Sequence, residues 1–181
     1  GLALLAVVVD SQIGRRLVAD FIATIEPASG LRIRVGRIDG SLYGQSVVRD
    51  VRLSDSKGVF AEIPEARLDW RPFAWLKTGL DIRELRLLRG RLRRLPELKP
   101  GDPNQPFLPK YDIRIDRFSI ENLHVDKGVL GEERRVDLGG GVRIEKGLAK
   151  VQVSGSLGGK DRLYALLDAE PDRDKLDLKL D

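Results

Sequence analysis

Ile82-Arg-Glu-Leu85-Arg-Leu87-Leu-Arg-Gly90-Arg-Leu92 and Ile115-Asp-Arg-Phe118-Ser-Ile120-Glu-Asn-Leu123-His-Val125 share one spacing. The marked positions match across the two segments, although most residue identities do not. An iterated strand unit of this kind predicts a quasi-one-dimensional β assembly, in which neighbouring units stack instead of closing one core. The flanking sequence reads the same way. Leu31–Val35, Val51–Leu53, Ala66–Trp70, Leu80–Ile82, Tyr111–Ile115, Phe118–Ile120, Leu123–Val125, Val151–Val153 and Leu176–Asp181 alternate apolar with polar or charged residues. Period two with one charged face marks a sheet wetted on one side. Turn signals separate these runs at Asp39-Gly40, Lys57-Gly58, Lys127-Gly128, Gly139-Gly140-Gly141 and Gly158-Gly159.

Two segments depart from this pattern. Pro72-Phe-Ala-Trp-Leu-Lys-Thr-Gly79 is punctuated as a short helix, over 72–78. Residues 95–110 hold five of the nine prolines, which cannot donate to a ladder, so a loop is expected there.

The N-terminal end differs in kind. Leu2, Leu4, Leu5, Val7, Val8 and Val9 lie in an apolar run that stops at Asp10. It can be the end of a membrane anchor, the end of a signal-peptide core or a buried strand; the anchor, over 1–10, is the reading expected here, because the run stops abruptly at Asp10 and no clean small-x-small cleavage site follows. A chain that opens Gly1-Leu2 and holds no Met is expected to be part of a longer protein. Ser11 can cap a helix over 11–26, in which Ile13, Leu17, Val18, Phe21, Ile22 and Ile25 recur at helical spacing until Pro27. An ordinary helix packed on a sheet and a helix capping a β structure read alike here.

Composition narrows the chemistry. The 181 residues include no Cys and one His, His124, so a thiolate site and a two-histidine metal site are both ruled out. The net charge of +4 comes from interleaved Lys/Arg and Asp/Glu, which is no footprint for nucleic acid. His124 should sit on the wet face of its strand, opposite Leu123 and Val125. Glu132-Glu133 lies near an expected turn. The three consecutive glycines lack the Lys-Ser/Thr of a phosphate loop. Trp70 and Trp75 are expected to pack near the short helix. No enzyme and no cofactor are expected, although composition leaves open a carboxylate pair assembled by the fold.

Alternation alone leaves two architectures open. One is a sandwich, the commoner solution. The other is an open trough lined by Ile33, Val35, Val51, Leu53, Leu68, Trp70, Ile82, Leu85, Leu87, Ile113, Ile115, Phe118, Ile120, Val151, Val153, Leu176, Leu178 and Leu180. The expected anchor and the strong alternation of the last residues, as if more strands follow, favour the trough. The reading divides the body into a first groove segment, 27–94, and a continuing one, 111–181.

Several short motifs occur in a characteristic order: Gly14-Arg15-Arg16-Leu17, Gly40-Ser-Leu-Tyr-Gly44, Asp50-Val-Arg-Leu53 with Asp55 and Gly58, Leu68-Asp-Trp-Arg-Pro72, Leu76-Lys-Thr-Gly79 and Ile82-x-x-Leu85. Over residues 2–95 the chain resembles the N-terminal region of the TamB proteins of the AsmA-like group. That resemblance implies a mainly β fold, an elongated curved antiparallel-rich sheet (β-taco or repeating β-groove), with an N-terminal helix after the anchor. It implies a single-pass inner-membrane protein with a periplasmic body that moves phospholipid toward the outer membrane. It also implies a TamA-like outer-membrane barrel as partner, through a region outside this chain. The alternative it carries is a non-conducting scaffold that assists assembly of outer-membrane barrel proteins.

Overall fold

The computed structural model describes residues 3, 10–12, 14–16, 19, 30–97, 111–170 and 175–180. The chain is mainly β, and the described strands all belong to one sheet. In chain order they are β1 (Arg32–Arg34), β2 (Arg37–Gly40), β3 (Gln45–Asp55), β4 (Gly58–Trp70), β5 (Gly79–Leu88), β6 (Arg91–Leu92), β7 (Asp112–Val125), β8 (Arg134–Glu145), β9 (Leu148–Ser156), β10 (Arg162–Glu170) and β11 (Lys175–Leu180). The spatial order is β1-β3-β4-β5-β7-β8-β9-β10-β11, with β2 beside β3 and β6 between β4 and β7. A 3₁₀ turn, Pro72–Leu76, joins β4 to β5 where the Pro and Gly punctuation predicts a short helix.

Every pairing is antiparallel except those of β5 and β6 with β7. These two parallel pairings are the repeat read in the sequence. Each residue stands beside its counterpart 33 positions later, from Ile82 beside Ile115 to Leu92 beside Val125. The unit therefore stacks directly on its own copy, and β6 continues β5 past Arg89 and Gly90.

The first i, i+3 step of each repeat unit, Ile82 to Leu85 and Ile115 to Phe118, falls at a register shift against the neighbouring strand. The second, Leu87 to Gly90 and Ile120 to Leu123, has a backbone cause shared with β3. Asp50, Arg89 and Asn122 take positive φ angles of 55°, 57° and 56°. Each residue inserts one extra position into its strand and re-phases the alternation, as a β-bulge does. The three form a crease across the sheet. Pro64, in the middle of β4, lies on the same crease, where the ladder skips from Arg49–Glu65 to Val51–Ile63 and no amide is needed. At Asn122 the amide leaves the ladder and donates to the Asp137 carboxylate at 2.7 Å, so it remains satisfied.

One expected turn is corrected. Gly139-Gly140-Gly141 lies inside β8, not between strands. These glycines serve close backbone approach. A Cβ on Gly140 would fall 1.7 Å from the Gln152 carbonyl oxygen. The tight connection between β8 and β9 is instead Lys146-Gly147. The runs at Tyr111–Ile115, Phe118–Ile120 and Leu123–Val125, read as separate, join as one strand, β7, interrupted by bulges.

At the N-terminal end, Gln12, Gly14–Arg16 and Ala19 are helical. Ser11 caps this helix as its side chain allows, accepting from the Gly14 amide at 3.2 Å. Asp10 ties the helix start to the β2–β3 hairpin. Its carboxylate accepts the Leu42 amide at 2.6 Å and the Ser41 hydroxyl at 2.8 Å. Buried Ala19 and Ile38 mark where helix and sheet meet. Residues 2, 4, 5, 7, 8 and 9 of the expected anchor lie outside the described residues. Among the described residues no helix is long and apolar enough to cross a membrane.

The start of the proline-rich run is pinned as well. Asp55, whose side chain is shut off from solvent, receives both terminal nitrogens of Arg94 at 2.6 Å, plus the amides of Lys57 and Glu97. Arg94 also stands 6.0 Å from the Phe60 ring centroid. The Arg94 bonds hold the Asp55 carboxyl far below the usual carboxylate range, and the Leu42 amide lowers that of Asp10. An Asp with a depressed folded pKa stabilises the fold above its unfolded value of roughly 3.9. That contribution is lost as pH falls through the folded value. Acid titration below about pH 4 should therefore release the Pro96–Glu97 end of the crossover and the helix start before the sheet melts. Proteolysis that cuts the sheet first would contradict this.

Candidate functional site: the apolar face of the sheet

Directly opposed residues share a face, so the registers sort the sheet into two surfaces. One surface is apolar in row after row. Leu68, Leu85, Phe118, Gly140, Val153 and Ala165 form one row. Trp70, Ile82, Ile115, Val142, Val151 and Leu167 form the next. Leu80, Ile113, Ile144, Ala149 and Ala169 lie beyond it. Ile38, Val48, Ala66, Leu87, Ile120 and Leu138 form a fourth. Past the crease, Ile33, Leu53, Ala61, Leu92 and Val125 form a fifth, with Val51 opposite Ile63.

The candidate lining residues Ile33, Val51, Leu53, Leu68, Trp70, Ile82, Leu85, Leu87, Ile113, Ile115, Phe118, Ile120, Val151 and Val153 thus gather on this one surface. Val35 directly follows β1 and is half-buried. Leu176, Leu178 and Leu180 stand in register with Ala169, Leu167 and Ala165. The sequence reading missed Val136, Leu138, Val142 and Ile144 in β8 and Leu163, Ala165 and Leu167 in β10. β8 alternates strictly, but reading the glycines as a turn hid it, and in β10 Tyr164 and Leu166 on the other face blur the alternation.

The exposure of these side chains bears on how tightly the face is covered. Most are half-buried, and no large hydrophobic side chain among the described residues is completely enclosed. In a closed sandwich, facing layers interdigitate to native density. Here the described strands form one continuous hydrogen-bonded sheet; Ile82, Val125 and Val136 are buried, while most of the other apolar side chains retain partial access to solvent.

The opposite surface is charged and internally paired. Glu65, largely buried, meets Arg49, Arg67 and Arg89 at 3.4–3.6 Å. Arg86 forks onto Glu121, Arg83 reaches Asp69, and Arg71 bridges Asp81 and Asp116. The Arg86 bonds lower the Glu121 carboxyl below its ordinary range. His124 stands on this wet surface as expected, in register between Arg91 and Arg135. His124, Asp126 and Glu133 bring ligand atoms within 4.8 Å of one another. Two things oppose a cation there: Arg91 already grips both Asp126 oxygens at 3.1 and 3.2 Å, and Arg135 flanks the imidazole in register.

Aromatic side chains cluster where the Asp10-bound hairpin meets the 3₁₀ turn. Tyr43 and Phe73 stack with centroids 6.3 Å apart, and Phe73 is 69% exposed. Trp70 donates its indole N–H to the Leu42 carbonyl of the hairpin at 2.9 Å. No protein-family model, curated protein or solved structure matches this chain.

Proposed function

We propose that this chain is part of a TamB/AsmA-like lipid-transfer bridge. Phospholipid acyl chains slide along the apolar face while head groups stay toward water. In this reading the chain is held at the bacterial inner membrane by an N-terminal anchor, and its body extends through the periplasm toward the outer membrane. The observation that carries the proposal is the set of apolar rows, continuous from β4 to β10 on one face and half-open to solvent. A diacyl lipid exposes some thirty methylenes. At about 0.8 kcal/mol each, this is a barrier of roughly 25 kcal/mol to crossing water. A smooth aliphatic floor removes most of that cost without polar groups that would trap the lipid.

A photo-crosslinking residue at Leu68 or Ile120 tests this in cells. The expected result is a phospholipid adduct at both positions and none at Gln152, on the charged face. Adduct-free protein at all three sites sinks the reading. A second reading rests on β1, which among the described strands pairs only with β3. Its outer edge could add a strand of a barrel precursor, making the protein a non-conducting scaffold that works with a TamA-like barrel.

A further inference from the structure

The strongest feature outside the apolar floor is a cavity of about 640 Å³ between the N-terminal helix and the β2 edge. Its walls include Gln12, Arg15, Arg16, Arg37, Ile38 and Asp39. The Nε of Arg15 is buried there and has no hydrogen-bond partner among the described residues. A buried unsatisfied guanidinium nitrogen is costly, and a group left so is commonly completed by a ligand. Arg15, Arg16 and Arg37 line the cavity with one carboxylate, Asp39, which Arg37 at 3.0 Å and Arg49 at 2.7 Å already take. Asp10, close enough to interact electrostatically with Arg15, spends its own oxygens on Leu42 and Ser41, which leaves Arg15 and Arg16 without a carboxylate hydrogen bond among the described residues. The cavity therefore favours an anion with several acceptor oxygens. Arginine forks match phosphate in charge and in geometry.

The cavity is not isolated from the floor. Ile38 is at once a wall of the cavity and the first member of the row Ile38–Val48–Ala66–Leu87–Ile120. A phosphate bound among the arginines would leave an attached acyl chain lying on that row. We infer that this cavity is a phosphate-binding site, built to take a phospholipid head group as its tails enter the apolar face. The inference rests on the lipid-transfer reading for its ligand source, but the phosphate chemistry stands on the cavity alone.

Calorimetric titration of the full chain with three probes tests it. They are a short-chain diacyl phosphatidylglycerol below its micelle concentration, the matching diacylglycerol without phosphate, and inorganic phosphate. The phosphatidylglycerol should bind tightest, and Arg15→Gln and Arg16→Gln should each weaken it about tenfold while leaving the diacylglycerol unchanged. Arg16 is exposed, so its variant keeps the test alive if Arg15→Gln fails to fold. Inorganic phosphate bound in an arginine-dependent way, with neither lipid bound, supports the phosphate site but assigns it to free phosphate and removes the lipid-transfer reading. Equal binding of both lipids, insensitive to either arginine variant, overturns the site and leaves the apolar face as a lipid surface. No binding of any probe overturns both.

Discussion

Gly140→Ala should destabilise the sheet by roughly 3 kcal/mol or more, the range of severe overpacking and backbone clashes. The added methyl would sit 1.7 Å from the Gln152 carbonyl oxygen and 2.8 Å from its carbonyl carbon. Backbone atoms cannot yield as a flexible side chain does, so β8 and β9 must part. The neighbouring glycine supplies the control. A Cβ on Gly139 meets nothing closer than the Phe118 carbonyl oxygen at 3.4 Å, an ordinary contact. Gly139→Ala should therefore be nearly neutral. Because strands here contact mainly their neighbours, the loss should also be local at first: β9, β10 and β11 should lose amide-exchange protection before β3, β4 and β5. Urea unfolding and hydrogen exchange read both outcomes. Equal effects at the two glycines would show that the β8–β9 approach does not limit stability.

Ile120→Glu should abolish lipid passage while costing the fold little. Ile120 occupies the middle of the row Leu87–Ile120–Leu138 and is only half-buried. A carboxylate there faces solvent in the empty protein, so the destabilisation should stay near 1 kcal/mol. In a lipid-filled face the same carboxylate would have to be desolvated against acyl chains, a far larger cost. Phospholipid adducts at Leu68 and transfer between vesicles should both fall at least tenfold. Gln152→Glu, exposed on the charged face, should change neither. Lost lipid passage with intact barrel assembly favours the bridge. Intact lipid passage with failed barrel assembly favours the scaffold.

The fold was legible in the sequence where two cues agreed. The pattern shared by Ile82–Leu92 and Ile115–Val125 pointed to stacked units, and those units lie side by side. The Pro72 and Gly79 punctuation located the 3₁₀ turn, and Ser11 located the cap of the N-terminal helix. Where glycine carried two meanings the reading failed. Gly139–Gly141 resembles a turn in composition, yet the approach of the Gln152 backbone requires glycine inside the strand. The crease was hidden for a related reason. Asp50, Arg89 and Asn122 give no shared residue signature, and only the i, i+3 steps in spacing betray them. The apolar face followed from period two, because alternation decides which side each residue takes. The arginine-lined cavity did not, since its parts come from a helix and an edge strand whose meeting no local pattern encodes. The Asp10 clasp on Ser41 and Leu42 is likewise a long-range pairing with no local trace.

The in-register stacking at a constant offset of 33 residues has a consequence for how such a molecule changes length. Copying one such block in tandem would lay another rung against an identical rung. The greasy stripes would stay continuous and the new kink would fall in line with the old ones. Reach can therefore be gained or shed in fixed increments without redesigning either end, as a ladder is lengthened by repeating its spacing.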